Sequence, residues 1–291
     1  QDLDSLPFID RDILYEQKPV FERDVSILTG RGCPYSCTFC ASDALNRQYR
    51  ENNLGKVVRQ RSVENVIEEL KLCKEKYNPR SFYFVDDVFT LNTEWLRDFS
   101  LLYINLIDKP FYCTANPGTI KNEELYLLKE AGCQMIGFGM QSCNEEYRNK
   151  YLKRRGANDR IKEVANLCHS LKIHFSFDHI FNLPNEPKEN QKEAIKFYKE
   201  TRPDIINTFN MTYLPKIELN KYLDDETRKE VEKGNMRTAM FNRQNRLAFL
   251  WQLVKKDIKR LMIGRYSDVF FPIRLLLTNM KDNILIKCGL R

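Results

Sequence analysis

The chain has 291 residues, of which 42% are hydrophobic and 30% are charged, so its composition is that of a folded globular protein and not of a disordered one. No stretch of about 18 apolar residues is present, and the acidic N-terminus lacks a secretory signal pattern, which excludes an obvious membrane span or export sequence. The chain begins with Gln1 instead of Met, as a fragment of a longer polypeptide would. The net charge of +7 is concentrated in residues 236–291, where twelve Lys and Arg residues stand against three Asp and Glu residues.

Nine cysteines are present, and three of them, Cys33, Cys37 and Cys40, fall close together in the sequence. An odd number of cysteines in a chain without an export signal argues against a disulfide framework. We therefore expect a reduced protein in the cytoplasm, with several of the other thiols buried on apolar faces of helices and strands.

Strand and helix patterns alternate along the first 211 residues. A short apolar run predicts the first strand at residues 25–29, and Ser62 then has the position of an N-cap before apolar residues at helical spacing. The further predicted strands cover residues 81–85, 111–115, 134–140, 173–181 and 204–211. The further predicted helices begin near Thr93, Asn122, Asn158 and Pro187, and Thr93 is expected to cap its helix.

Six strands separated by helices predict an α/β protein with a parallel sheet and right-handed crossovers. Such a sheet closes wholly or partly into a barrel, or stays open and doubly wound. In both architectures the chemistry gathers at the carboxyl ends of the strands, so a functional motif should follow a strand.

The region after the sixth strand predicts a different organisation, a helical and basic C-terminal extension over residues 218–291. Its longest predicted helix, from about residue 240 to about residue 262, has apolar residues at helical spacing and lysines on the other faces. The favoured interpretation is a helix packed on the body of the protein with a solvated basic face. The alternative is contact with an acidic partner or a membrane surface. No nucleic-acid-binding motif is present, so nucleic acid is not an expected partner.

The stretch GRGCPYSCTFC directly follows the first predicted strand and spaces Cys33, Cys37 and Cys40 by three and then two intervening residues. Cubane iron–sulfur clusters are usually held by four thiolates, so a set of three leaves one iron open to a substrate or cofactor. Zinc is the alternative, because soft thiolates select iron–sulfur clusters or zinc. A zinc site needs a fourth ligand, and the only three histidines lie more than a hundred residues further along the chain. The spacing therefore favours a cluster.

Together with Phe39, these cysteines resemble the CxxxCxΦC signature of the radical SAM superfamily, in which Φ is aromatic. The resemblance covers about residues 20–215 and implies a partial (β/α)6 TIM-like barrel, with the core at residues 21–217. Residues 1–20 are linker-like, and their segment LDSLPFIDRDIL resembles the connection that leads from an N-terminal cobalamin-binding domain into the core in one class of the superfamily. The cobalamin-binding domain itself is not in this chain.

The resemblance implies a 4Fe-4S cluster whose open iron binds S-adenosylmethionine through its amino and carboxylate groups. One electron then breaks a carbon–sulfur bond, and the usual product is a 5′-deoxyadenosyl radical that takes a hydrogen atom from a small-molecule substrate. In cobalamin-dependent relatives a methyl group is delivered to the substrate, and rearrangement or oxidation are other outcomes. The implied partner is an electron donor such as flavodoxin or ferredoxin. The alternative function is a non-catalytic zinc or iron–sulfur barrel module.

Family motifs also imply contacts with S-adenosylmethionine. Asp86 and Asp87 follow the second predicted strand, where relatives hold the amino group of the cofactor, although an acid pair at a helix N-terminus is the alternative. Gln141 and Ser142 end the fourth strand, at an element that contacts the ribose or the amino acid moiety in relatives. Arg154 has the position of a cation for the cofactor carboxylate, with Lys153 and Arg155 as competing candidates and a solvated basic turn as the alternative.

The loops after the last two predicted strands match the family less well. In HIFNLPNEP, Asn182 and Asn185 replace two glycines of relatives, which predicts a different backbone course. Asp178 or His179 is expected to face the barrel interior or to be a hydrogen-bonded structural residue. Tyr213 is interpreted as either a substrate contact or a core residue. The sequence assigns no catalytic side chain.

Overall fold

Six parallel strands form the sheet at the centre of the fold. The computed structural model describes residues 2–18, 22–187, 189–235 and 237–238. All of these residues belong to one unit of the chain, residues 1–249. The predicted C-terminal helix and nearly all of the basic tail therefore lie outside the described residues.

The strands are numbered in chain order as β1 (Asp24–Ile27), β2 (Gly30–Arg31), β3 (Arg59–Gln60), β4 (Ser81–Phe84), β5 (Phe111–Ala115), β6 (Cys133–Gln141), β7 (His174–Phe181), β8 (Ile205–Asn210), β9 (Thr212–Tyr213) and β10 (Arg237–Thr238). The main sheet has the order β1-β4-β5-β6-β7-β8, and every neighbouring pair in it is parallel. Its six strands match the six predicted ones, which confirms the partial TIM-like barrel. The remaining strands form two antiparallel pairs, β2 with β3 and β9 with β10.

The helices are α1 (Asp12–Tyr15), α2 (Ala41–Glu51), α3 (Val63–Tyr77), α4 (Thr93–Leu106), α5 (Asn122–Glu130), α6 (Glu145–Lys150), α7 (Asn158–Leu171), α8 (Asn190–Thr201) and α9 (Asp225–Glu232), with a 3-10 helix at Glu218–Tyr222. The predicted cap of α3 is confirmed, because Ser62 Oγ accepts a hydrogen bond from the Asn65 amide at 3.2 Å. The predicted cap of α4 was wrong by one residue, since the Asn92 side chain accepts from the amides of Glu94 and Trp95. Within the described ranges, no helix has the length and apolar character needed to cross a membrane.

Helix α2 has no counterpart among the predicted elements. Its buried positions are the polar residues Asp43 and Asn46, so its buried face is not the apolar stripe that marks a helix packed on a core. The helix begins at the last cysteine of the motif, and its polar buried face holds the cysteine loop through side-chain hydrogen bonds.

Aromatic side chains form much of the core between the sheet and its helices. Phe84 on β4 stacks on Phe89 at a ring-centroid distance of 4.6 Å and meets Phe99 of α4 and Phe111 of β5 edge-on, each at 5.3 Å. All four rings are essentially inaccessible to solvent. Truncation of one such ring to alanine typically costs about 3–5 kcal/mol. This packing fixes which face of β4 points toward the helices.

The N-terminal segment packs on α3 and β1. Arg11 is buried and donates to the Glu69 carboxylate at 2.7 Å and to the Ser26 carbonyl at 3.0 Å. Asp4 accepts a hydrogen bond from the Ser62 amide at 3.0 Å, and Leu3 is buried. The segment predicted to be linker-like is therefore attached to the barrel at several points along its length.

Candidate active site

The cysteine loop begins where β1 and β2 end and finishes at the N-cap of α2. Gly32 has a positive φ of 86°, and a Cβ on it would lie 2.3 Å from the Val57 carbonyl oxygen, so only glycine fits immediately before Cys33. The carbonyl of Cys33 accepts from Asn46 Nδ2 at 2.6 Å. The Cys40 sulfur caps α2 by accepting from the Ser42 amide at 3.4 Å. Backbone and side-chain contacts thus define the course of the loop on both sides of the motif.

The middle of the loop is fastened by Thr38, which is buried. Its amide donates to the Leu152 carbonyl at 3.1 Å, and its carbonyl accepts from the Leu219 amide at 2.8 Å. Its hydroxyl donates to the Tyr151 carbonyl at 2.6 Å. Phe39, the aromatic residue of the motif, is half-buried and packs on the hydrophobic cluster around Leu152 and Leu219. Phe39 therefore anchors the loop through apolar contacts.

The three thiols lie close enough to influence one another electrostatically. Burial raises the pKa of Cys33 to about 11, with further increases from Asp87, Cys37 and Cys40. Burial also raises the pKa of Cys37, whereas the Arg154 guanidinium opposes that shift. Metal ligands must be thiolates, so binding of a metal here displaces protons and neutralises the mutual repulsion of three sulfur charges.

The donor set on the cysteine loop consists of three thiols. In residues 2–18, 22–187 and 189–235, no three His, Cys, Asp or Glu side chains are arranged as ligands of one ion. The ligands of one zinc ion all lie about 2.0–2.3 Å from a common point, whereas the thiolates of a cluster bind different irons. The histidines are also engaged elsewhere, since His169, His174 and His179 contact Thr201, Asp204 and Tyr198. This geometry does not favour the zinc alternative.

Arg154 lies between the end of β6 and the cysteine loop. Its Nε donates to the Gly139 carbonyl at 2.5 Å, and its Nη1 is 3.6 Å from Cys37 Sγ. A Cβ on Gly139 would lie 2.7 Å from Arg154 Nη2 and 2.7 Å from Gln141 Nε2, so the absent side chain makes room for both groups. Lys153, its neighbour, instead pairs with Glu218 at 2.7 Å on the protein surface. Of these two adjacent cations, only Arg154 contacts the predicted site.

Asp86 and Asp87 occupy different environments. Asp86 is buried and accepts hydrogen bonds from the Thr29 hydroxyl at 2.8 Å and the Thr29 amide at 3.2 Å. Burial raises the pKa of Asp86 to about 6, although these hydrogen bonds oppose the shift. Asp87 is exposed, accepts from Ser42 Oγ at 3.3 Å and raises the pKa of Cys33. Asp86 thus ties the end of β1 to β4, and Asp87 borders the thiols.

Gln141 and Ser142 are also separated by the backbone. The β6–β7 register shifts between Gly139 and Gln141, and Gln141 has a positive φ of 67°. Its amide lies beside the Gly139 position and therefore near Arg154. Ser142 is fully buried and donates to Glu186 at 3.0 Å. The structure brings Gln141, but not the Ser142 hydroxyl, next to Arg154.

The loop after β7 has left-handed backbone at both of the asparagines that replace glycines of relatives. Asn182 and Asn185 have φ values of 60° and 58°, the left-handed region that glycine and asparagine adopt most readily. Replacement of glycine by asparagine is therefore compatible with left-handed backbone at both positions, and it gives no reason to expect a different course. Tyr213 is buried and donates to the Asn182 carbonyl at 3.0 Å, which makes it a core residue of this region.

Tyr83 and Asn207 are not among the site residues predicted from the sequence. Tyr83 is 40% exposed between two fully buried phenylalanines, a strict alternation that could have identified it as facing away from the core. Asn207 is opposite Asp178 in the β7–β8 register and donates to Asp178 Oδ1 at 2.9 Å. That pairing across strands leaves no mark in the local sequence.

The fold and site define a class of protein, an α/β barrel with a three-cysteine loop at the carboxyl end of its first strand. Residues 27–198 match the radical SAM superfamily, and the chain belongs to it. Enzymes of this superfamily use a 4Fe-4S cluster and S-adenosylmethionine, and a small-molecule substrate is consistent with such an enzyme.

Two curated relatives illustrate the similarity. The chain is 28% identical over 230 residues to an uncharacterized methyltransferase of Pyrococcus horikoshii, covering 76% of this chain and 47% of that protein. It is 24% identical over 201 residues to the anaerobic magnesium-protoporphyrin IX monomethyl ester cyclase of Cereibacter sphaeroides, covering 67% of this chain and 31% of that protein. The chain thus spans less than half the length of either relative.

Solved structures share the fold. The radical S-adenosylmethionine methyltransferase TsrM from Kitasatospora setae matches with a TM-score of 0.58 and 17% identity, over 69% of this chain and 39% of that one. The cobalamin-dependent S-adenosylmethionine radical enzyme OxsB, with aqua-cobalamin bound, matches with a TM-score of 0.61 and 17% identity, over 87% of this chain and 44% of that one. Likeness at these identities establishes the common architecture.

Proposed function

We propose that this chain is the catalytic core of a cobalamin-dependent radical SAM methyltransferase. Cys33, Cys37 and Cys40 would each hold one iron of a 4Fe-4S cluster, and the fourth iron would be left for S-adenosylmethionine. The observation that carries the proposal is the presence of three thiols on one braced loop at the carboxyl end of β1, where Cys37 and Cys40 raise the pKa of Cys33. When bound, the cluster supplies the electron that breaks a carbon–sulfur bond of S-adenosylmethionine.

The side chains around the thiols would orient the cofactor. Asp87 offers an exposed carboxylate next to Cys33, suited to accept hydrogen bonds from an ammonium group. Arg154 offers a planar guanidinium beside Cys37, suited to a carboxylate. Gln141 lies next to Arg154 and would contact the ribose or the amino acid moiety. Asp86 and Ser142 would support this site from behind through Thr29 and Glu186.

Methyl transfer is favoured by the relatives. Besides the methyltransferase of Pyrococcus horikoshii, curated relatives include bacteriochlorophyllide d C-12(1)-methyltransferase of Chlorobaculum tepidum, at 20% identity over 61% of this chain. The two structural neighbours named above are a methyltransferase and a cobalamin-dependent enzyme. We infer that cobalamin binds to a domain outside this chain, and that residues 21–217 are the core to which it delivers its methyl group.

The cellular setting follows from the chemistry. A one-electron donor such as flavodoxin or ferredoxin would reduce the cluster, and a reducing cytoplasm is the expected compartment. The described cysteines, all free thiols, support that compartment.

Residues 218–235 extend the core, because Leu219 and Val231 are buried in the cluster that also holds Leu152.

Anaerobic reconstitution tests the proposal with two cysteine variants. We expect the wild-type chain to bind about four irons and, with dithionite, to convert S-adenosylmethionine into 5′-deoxyadenosine or, with cobalamin, S-adenosylhomocysteine. Cys37→Ala should lose both properties, whereas Cys73→Ala, a buried thiol on α3, should keep them. Equal iron content in the two variants would exclude the cluster. Failure of the full-length protein to bind cobalamin would exclude the methyl-transfer step alone.

A further inference from the structure

The inner face of the sheet carries a group of polar side chains that the proposed cofactor contacts do not use. Phe82 and Phe84 point from β4 into the helical core, so Tyr83 between them points to the opposite face, where it is 40% exposed. On β7, Phe177 packs against Phe197 and Tyr198 of α8, at ring-centroid distances of 6.2 Å and 5.8 Å. Asp178, the next residue of β7, therefore points to the inner face as well.

Tyr83 and Asp178 lie on the same face of the sheet. Strands β5 and β6 lie between β4 and β7, which would place the two side chains about 14 Å apart on a flat sheet. Nevertheless, after burial, the Asp178 carboxylate is the largest influence that raises the pKa of Tyr83. The phenol and the carboxylate thus face a common interior space.

Asp178 is held in place by Asn207, but its hydrogen-bonding capacity is not fully used. Asn207 donates to its Oδ1 at 2.9 Å, and Asp178 and Asn207 are direct partners in the β7–β8 register. On the other side its register partner is Gly139, where the missing side chain makes room for the Arg154 guanidinium and the Gln141 amide. The hydrogen-bonding capacity of a carboxylate is about four acceptor positions, so one amide donor leaves others for a ligand.

The site is adjacent to the predicted cofactor site. Arg154 opposes the burial-driven increase in the pKa of Asp178 and is also 3.6 Å from Cys37 Sγ. A ligand bound at Asp178 would therefore lie next to the groups proposed to orient S-adenosylmethionine. Apolar surface flanks the polar group, because Val85 and Phe209 share the alternation of Tyr83 and Asn207 and are 42% and 52% exposed.

We propose that Asp178, positioned by Asn207 and faced by Tyr83, is the specificity-determining residue that accepts a hydrogen bond from an amino or hydroxyl group of the substrate. The substrate class is a small molecule with such a donor group attached to an apolar body, which would contact Val85 and Phe209. This inference rests on the proposed function, which identifies S-adenosylmethionine as the cofactor that reacts with the substrate. It assigns a residue to the part of the site that binds the substrate.

Binding of simple probes to the reconstituted holoenzyme tests the assignment. The donor-bearing probes are 2-phenylethylamine and 2-phenylethanol, and the acceptor-only control is 3-phenylpropionate, each titrated by ligand-observed NMR. We expect at least one donor-bearing probe to bind the wild type more tightly than 3-phenylpropionate. Asp178→Asn should weaken that probe about tenfold, because a neutral amide oxygen accepts a weaker hydrogen bond than a charged carboxylate does. A stronger response to 2-phenylethylamine than to 2-phenylethanol would identify the donor as an ammonium.

Controls separate a binding role from a folding defect. Asp98→Asn removes the same charge from an exposed position of α4 and should bind the probe as the wild type does. Tyr83→Phe keeps the ring and removes only the hydroxyl, and should weaken the probe by a smaller factor. Iron content and thermal midpoint are recorded for every sample. Wild-type protein without iron would refute the proposed function, whereas iron-loaded protein that binds no probe, or binds it equally in Asp178→Asn, would refute this inference.

Discussion

The guanidinium of Arg154 contacts the sulfur of Cys37 across 117 positions of the sequence. The contact exists because Gly139 has no side chain, so the guanidinium can lie over its Cα and bond to its carbonyl. One glycine on β6 therefore determines whether a cation borders the cysteine loop.

Substitution of Gly139 by alanine should displace Arg154. The new Cβ would lie 2.7 Å from both Arg154 Nη2 and Gln141 Nε2. Because both groups are proposed to orient S-adenosylmethionine, we expect its affinity to fall about tenfold, equivalent to about 1.4 kcal/mol, while iron content is retained. Equilibrium dialysis of the reconstituted protein measures the affinity, and a colorimetric iron assay measures the iron content.

Gly137→Ala is the matched control, because the nearest atoms to its new Cβ are all 3.8 Å away. Its affinity for S-adenosylmethionine should remain within about twofold of the wild type. If the two alanine variants lose affinity equally, the placement of Arg154 is not what matters.

Asp86 should make the stability of the cofactor-free protein depend on pH. Its folded-state pKa of about 6 lies above the unfolded value of 3.8, so the folded protein retains a proton that the unfolded chain releases. The contribution of Asp86 to the free energy of unfolding is therefore fully present below about pH 4. It is lost as the pH rises toward about 6, which lowers the free energy of unfolding by up to about 3 kcal/mol. Urea unfolding of the wild type and Asp86→Asn across this range measures the difference. If the wild type instead gained stability relative to Asp86→Asn as the pH rose, the pKa of Asp86 would not be raised in the folded protein.

The buried charges that attach the N-terminal segment should contribute to stability. Glu69 pairs with Arg11 and Arg61, and the Glu69 and Arg11 side chains are only 4% and 6% exposed. Glu69→Ala leaves two guanidinium groups without their shared carboxylate, and we expect a loss of about 3–5 kcal/mol in urea unfolding. Glu123→Ala, which breaks the exposed pair with Arg97, should cost at most about 1 kcal/mol. Similar costs would show that Glu69 is not acting as a buried partner.

The left-handed backbone after β7 gives a conformational prediction. Asn185 is exposed and has a φ of 58°, so valine at this position would force a β-branched residue into an unfavourable region. We expect Asn185→Val to lower stability by about 1–2 kcal/mol and Asn185→Gly to be tolerated. Thermal unfolding of both variants provides the comparison, and equal midpoints would argue against left-handed backbone here.

The strand framework could be predicted because buried parallel strands are short apolar runs whose spacing is set by intervening helices. Helix α2 could not, because its buried positions are the polar residues Asp43 and Asn46, whereas its apolar Leu45 is exposed. The same limit applied to the cap of α4, where Asn92 and Thr93 are both good capping residues and only the backbone geometry distinguishes them.

The candidate site divides in a similar way. The three cysteines were predictable, since their spacing is local and their chemistry is specific. The different environments of Asp86 and Asp87 were not predictable, because adjacent residues at a strand end point in different directions. Only the fold shows that Thr29 donates a hydrogen bond to Asp86. Asp178 and Asn207 meet through strand register, which no local pattern encodes.

The hydrogen bonds of Thr38 have a consequence for biosynthesis. Thr38, one of the two residues between Cys37 and Cys40, forms backbone hydrogen bonds with Leu152 and Leu219, which are synthesised long after it. A nascent chain that ends before Leu219 would contain every cysteine of the motif while still lacking part of the framework that holds them. Iron delivery to a correctly shaped loop would therefore await nearly complete translation of the barrel.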